Sequence, residues 1–260
     1  MPTHPWSRRT VGATPEGGLS VNLLGGPYLT AGGRRLEIPE AGQRLLAFVA
    51  LHGGRVERRR AAGVLWPEND DLRAAGNLRS ALWRLRRPGC EVLEADKSAL
   101  WLPAGTSVDL DVMHDWAERL IAGCPTPADL CSVLWRADSV ELLPGWYDDW
   151  ALLERERIRQ LLLHALEALA RHLVDLGRWA EAVTVATTTV AAEPLRESAQ
   201  QVLITTHLAE GNVVEARRAY QAYSTLVRRE LGVPPGRPVR ELAAAWSPVP
   251  NPSGSSAGVP

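Results

Sequence analysis

Apolar positions along this chain change their period several times, and each change marks an element. Short segments at Val21 to Leu24, Tyr28 to Thr30 and Arg35 to Ile38 are divided by Gly25-Gly26-Pro27 and Gly32-Gly33, a pattern of strands and glycine turns. A helical period then takes over. Leu45, Leu46, Val49 and Ala50 give a buried side to a helix over Ala41 to Leu51, which His52-Gly53-Gly54 ends. Ala61, Ala62, Leu65 and Trp66 do the same for Arg58 to Trp66, closed by Pro67. Trp66 is expected to anchor the core. A third helix runs over residues 71 to 87, with Ala75, Leu78, Leu82 and Leu85 as its expected buried stripe. Asp70 or Asp71 suits its N-cap, and Pro88-Gly89 stops it. Glu91 to Glu94 and Ala99 to Leu102 then form strands of a hairpin around Ala95-Asp96-Lys97-Ser98.

Beyond Pro103 to Ser107 the pattern is helical. Val108 to Asp111 reads as a short domain boundary, Met113 to Ala122 as a helix, Pro125 to Asp129 as an interruption and Leu130 to Arg136 as a further helix. The aromatic motif Leu142 to Trp150 precedes a long helix carrying Leu152, Leu153, Ile158, Leu161, Leu162, Ala165, Leu166 and Leu169. Core packing and an aromatic ligand groove both fit that motif. Gly177-Arg178-Trp179-Ala180-Glu181-Ala182 is echoed 34 positions later by Gly211-Asn212-Val213-Val214-Glu215-Ala216. That is the period of a tetratricopeptide helix pair. Leu226, Val227 and Leu231 extend the next helix, and Val239 to Trp246 forms the last.

The fold class is therefore mostly α with a small β component, a winged helix-turn-helix followed by a tetratricopeptide-like helical domain. Residues 1–18 are expected to be a flexible arm, 19–104 the winged-helix domain, 105–246 the helical domain and 247–260 a flexible tail.

Charge changes the picture because it is divided. The formal net charge is −1. Residues 1–110 hold 15 Lys plus Arg against 11 Asp plus Glu, and the rest hold 14 against 19. The basic excess accompanies the third helix, where local charge governs approach to phosphates. Three cysteines, Cys90, Cys124 and Cys131, support neither a disulfide framework nor a zinc site. No cofactor or metal is expected. No phosphate-binding Gly-x-x-x-x-Gly-Lys loop occurs. His164 and His172 lie on an apolar helical background and read as structural, so no enzyme is expected. No apolar run reaches the roughly 20 residues that cross a bilayer. Without a secretory h-region, the expected location is cytoplasmic, nucleoid-associated when bound to DNA.

Gln43-Arg44-Leu45-Leu46-Ala47, Val64-Leu65-Trp66-Pro67 and Asn77 to Arg87 together resemble the DNA-binding domain of the Streptomyces antibiotic regulatory protein family. Trp146-Tyr147-Asp148-Asp149-Trp150, Leu152 to Arg157 and Arg229 to Pro235 resemble the bacterial transcriptional activation domain that follows it in that family. The wing departs from the common Gly-Tyr-x-Leu pattern with Ser98-Ala99-Leu100-Trp101-Leu102. The resemblance implies a sequence-specific transcriptional activator of secondary-metabolite or antibiotic biosynthesis genes. It implies double-stranded promoter DNA, in direct repeats, and RNA polymerase as partners, with a homo-oligomer on DNA. It also implies a short form without the nucleotide-binding domains of larger relatives.

Helical geometry makes Arg73, Asn77, Ser80 and Arg84 the base-reading candidates. Arg79 and Arg87, with Arg44, Arg58, Arg59 and Lys97, are the phosphate-contact candidates. The alternative is a tetratricopeptide-like protein-interaction scaffold whose winged helix does not read DNA.

Overall fold

A computed structural model describes residues 18–86, 91–130 and 141–244. The arm before residue 18, Arg87, most of the expected helix Leu130 to Arg136 and the tail lie outside the described residues. The chain divides into two compact units, Met1–Arg119 with Ser139–Leu161, and Leu120–Asp138 with Leu162–Pro260. This packing division differs from the module boundary expected at residues 104 and 105.

The first unit opens with β1 (Leu19–Asn22), β2 (Tyr28–Ala31) and β3 (Arg34–Leu36). They pair as antiparallel neighbours, with Val21 opposite Leu29 and Leu29 opposite Leu36. Next come α1 (Glu40–His52), β4 (Val56–Glu57), α2 (Arg58–Leu65) and α3 (Asp71–Leu85). β5 (Glu94–Ala95) and β6 (Ala99–Trp101) make the wing hairpin, and β4 adds to β6 on its other side. β7 (Ser107–Val108) joins the first sheet, parallel to β1, to give the order β3-β2-β1-β7. Val108 to Asp111, expected as a boundary, thus begins as a strand and continues into α4 (Asp109–Ile121). The physical reason is a pairing with residues nearly 90 positions earlier, which no local pattern reports.

Asp109 fixes this junction. Its carboxylate accepts N–H bonds from Leu23 at 2.9 Å, Leu24 at 2.9 Å and Leu110 at 2.9 Å. Burial pushes its pKa up to about 6 against the pull of those three bonds. The segment before α5 (Asp149–Asp175) returns to the same place. Leu24 bridges Leu142, and Leu143 N donates to Leu23 O at 3.0 Å. Leu143 is fully buried at a φ of 47°, a left-handed conformation costly for leucine and held by this packing. Arg155 clasps the segment, donating to the carbonyls of Leu142, Leu143 and Trp146 at 2.9, 2.6 and 3.0 Å. Trp150 meets Phe48 edge-on at 5.5 Å, so the aromatic motif serves packing in this unit. Leu152 and Leu153 of α5 are 39% and 54% exposed. Ala151, Glu154 and Ile158 take the inward positions in that stretch instead.

In the second unit follow α6 (Trp179–Ala192), α7 (Glu197–Ala209), α8 (Val213–Leu231) and α9 (Arg237–Ala244). The 34-residue echo is a repeated turn. Gly177 and Gly211 have φ of 72° and 84°, where a side chain would be strained. Arg178 N donates to Leu173 O at 2.9 Å, and Asn212 N to His207 O at 2.8 Å. Ala182 and Ala216 are fully buried, small enough for close helix approach. Ile204, Ala216, Tyr223, Val227 and Val239 then join α7, α8 and α9 in one core. Polar ties reinforce it. Glu167, 3% exposed, accepts from Arg196 at 2.6 Å and Ser198 at 2.7 Å. Glu197 accepts from Tyr223 at 3.0 Å and Gly236 N at 2.8 Å, and a Cβ at Gly236 would collide with that carboxylate.

Candidate nucleic-acid interface

α3 depends on its cap and its buried side. Asp70 Oδ1 accepts from Arg73 N at 2.8 Å, satisfying one of the orphan amides of the first turn. The buried residues are Ala74, Leu78, Ala81 and Leu85. This corrects the expected stripe at two places. Ala75 and Leu82 are half-buried, and the neighbouring alanines Ala74 and Ala81 take the inward positions. Small residues there let α3 pack closely on α1 and α2. At Gly42 of α1, an added Cβ would lie 2.7 Å from Leu85 Cδ2, so this glycine admits the C-terminal end of α3. Trp66, expected in the core, is half-buried just after α2, because its N–H bond to Ala62 O makes it the end of that helix.

Shifting the buried stripe turns a definite face outward. Arg73, Arg79, Ser80 and Arg84 are exposed, and Asn77 is half-buried at the edge. Arg73 stands 3.7 Å from Asp70. Arg79 and Arg84 form no ion pair with any described residue. The Ser80 hydroxyl donates to Gly76 O at 3.2 Å, which leaves its oxygen as an acceptor toward solvent.

Beside this face stands the wing. Asp96 orders its turn, accepting from Ser98 N at 2.8 Å, Ser98 Oγ at 2.9 Å and Ala99 N at 2.8 Å. Those bonds hold its carboxyl well below the usual carboxylate range. Lys97 is exposed on this turn. Arg58 ties α2 to the wing, its backbone N–H donating to Ser98 O at 2.8 Å and its guanidinium to Asp96 O at 3.1 Å. A groove of about 790 Å³ lies between α3 and β5, lined among others by Arg58, Arg79, Trp83, Arg86 and Leu93.

The proposed phosphate contacts separate accordingly. Arg58 and Arg79 line one groove, and Lys97 is exposed on the wing turn. Arg59 is exposed at 3.4 Å from Asp71. Arg44 stands apart, paired with Asp148, with its Nε buried and unpartnered. Two arginines absent from the sequence-based set belong here. Arg86 lines the groove, and Arg55 pairs with Asp96 while stacking 3.9 Å above the Trp101 ring. His114, Asp115 and Glu118 bring potential ligand atoms within 4.8 Å, but His114 and Glu118 already form a 3.4 Å pair and Glu118 is exposed. His172 Nε2 meets Leu120 O at 3.0 Å and His164 lies against Arg196, contacts that suit structural histidines. Among the described residues no helix is long and apolar enough to cross a membrane.

Residues 129–245 match the bacterial transcriptional activator domain family. The regulatory protein AfsR of Streptomyces coelicolor is 30% identical over 244 residues, covering 87% of this chain and 24% of that protein. AfsR of Streptomyces griseus is 28% identical over 213 residues, covering 76% of this chain and 21% of that protein. The chain thus spans about a quarter of the length of these curated relatives. Among solved structures, Mycobacterium tuberculosis EmbR, in complex with a low-affinity phosphopeptide, superposes with a TM-score of 0.73. At 22% identity it covers 88% of this chain and 65% of that chain, and it shares the fold. By its activator domain and by its likeness to these regulators, the chain is similar to members of the Streptomyces antibiotic regulatory protein family.

Proposed function

We propose that this chain is a sequence-specific DNA-binding transcriptional activator of secondary-metabolite or antibiotic biosynthesis genes. The observation that carries the reading is the outward face of α3, with Arg73, Arg79 and Arg84 exposed beside an ordered, Lys97-tipped wing. A capped helix of 15 residues is about 22 Å long and fits a major groove. Arg73, Asn77, Ser80 and Arg84 read base edges. Arg58, Arg59, Arg79, Arg87 and Lys97 hold phosphates, and Arg44 contributes less because Asp148 already occupies it. The second unit offers protein contacts, to a neighbouring protomer on direct repeats and to RNA polymerase. The protein acts as a non-catalytic regulator in the cytoplasm, at the nucleoid when bound.

Selection from randomised duplexes with the intact protein, followed by footprinting at two salt concentrations, tests the reading. A recurrent, repeated sequence with steep salt dependence is expected. If no sequence is preferred at low or moderate salt, the winged helix does not read DNA and the chain is an interaction scaffold.

A further inference from the structure

The face that α3 turns to solvent is not wholly polar. Leu72 is 84% exposed and Trp83 is 73% exposed. Leu72, Gly76, Arg79 and Trp83 recur at steps of 4, 3 and 4, one line on the helix, opposite the buried alanines and leucines. A single exposed leucine on a protein surface is ordinary. Leu72 differs in where it stands. It occupies the first turn of the helix proposed to read bases, beside Arg73 and one turn before Gly76, whose missing side chain leaves space on the same line.

The surroundings favour one occupant. Arg79 shares the line of Leu72 and Trp83, and Arg73 with Arg84 forms a second exposed line beside it, a solvent-facing half complementary to a polyanion rather than to an apolar protein surface. The acidic first turn is already answered, Asp70 by Arg73 at 3.7 Å and Asp71 by Arg59 at 3.4 Å. Helices of this kind present their N-terminal residues to base edges. In the major groove, thymine alone among the four bases offers a methyl group, and apolar side chains recognise it. We propose that Leu72 is a specificity-determining residue that selects a thymine by packing against its C5-methyl group. The inference rests on the DNA-reading role of α3.

The test uses the intact protein and a duplex obtained by selection. Each thymine is replaced singly by uracil, which removes the methyl and keeps the base pair. Wild-type affinity is expected to fall about fourfold at one thymine beneath the N-terminal end of α3, the loss of one buried methyl. Leu72→Ala, which shortens the side chain, and Leu72→Gln, which keeps its length without the apolar end, are each expected to bind thymine and uracil there equally. The changed position is exposed, so the melting temperature stays unchanged and separates lost contact from lost fold. The proposal is overturned if the variants keep the wild-type preference for thymine, or if no uracil substitution weakens binding, while sequence selection persists. The DNA-reading role then stands without Leu72. If the intact protein selects no sequence, both ideas fall together.

Discussion

α3 and α8 are both solvent-facing helices rich in arginine, but they dispose of the charge differently. On α8, Arg218 pairs with Glu215 and Arg229 with Glu230 at 2.7 Å. At the start of α6, Arg178 and Glu181 pair at 2.6 Å in the same way. These pairs answer their own charge within a turn, as solvated helix faces commonly do. On α3, Arg79 and Arg84 face no acid among the described residues. Both helices would look alike in a count of arginines. What distinguishes a surface prepared for an anion is the lack of compensation, not the number of cations.

The comparison can be broken from its most compensated end. Glu167 is buried and answers Arg196, itself 13% exposed. Glu167→Ala should destabilise the protein by about 3 kcal/mol, because Arg196 keeps its charge without its partner. Chemical denaturation of the whole chain measures this, and a change below about 1 kcal/mol would place the pair among ordinary surface contacts.

Asp109 is the uncompensated charge that is buried rather than exposed. Its folded pKa of about 6 exceeds the unfolded value, so the folded state binds the proton more tightly. The stabilising contribution is full below about pH 4 and is lost as pH rises through about 6, worth about 2 kcal/mol across that window. Asp109→Asn should lower stability at every pH by disturbing the bonds from Leu23 and Leu24, and should flatten this slope. Melting curves between pH 4 and 7 decide, and an unchanged slope in the variant would assign the pH dependence elsewhere.

The open end of the comparison is Arg84. Arg84→Ala should weaken specific DNA binding tenfold to a hundredfold and relax one base choice, whereas Arg218→Ala should leave binding within about twofold. Titration of the selected duplex distinguishes them, and equal effects would erase the contrast between α3 and α8. Lys97→Ala carries the smallest effect. Binding should weaken about equally for all sequences, with a salt slope shallower by about 1. A sequence-dependent loss would instead make Lys97 a base contact.

Legibility in the sequence followed locality. The cap, read as Asp70 or Asp71, and the two Gly-x-x-x-Glu-Ala turns are written within a few residues, and the structure forms them with Asp70 as the cap, while α3 ends at Leu85, short of the expected residue 87. The buried side of α3 was off by one residue at two points because Ala74 and Ala75, and Ala81 and Leu82, both satisfy a helical spacing. Only the packing of α3 on α1 and α2 chooses the alanines. β7 was missed because two residues carry no period of their own, and their partner strand lies far back in the chain. Arg44 looked like a basic helix-surface residue, while its partner Asp148 lies 104 positions away. Non-local pairing, rather than weak propensity, accounts for these differences.

The turn that Asp96 closes has a thermodynamic consequence. Its hydrogen bonds are complete in the unbound chain, and a carboxyl held this acidic stays ionised through the physiological range. In the proposed complex with DNA, the tip would therefore dock as a preformed body. Its engagement freezes little backbone, and the ordering entropy and large heat-capacity change that accompany a segment folding onto its target are absent from this part of the surface.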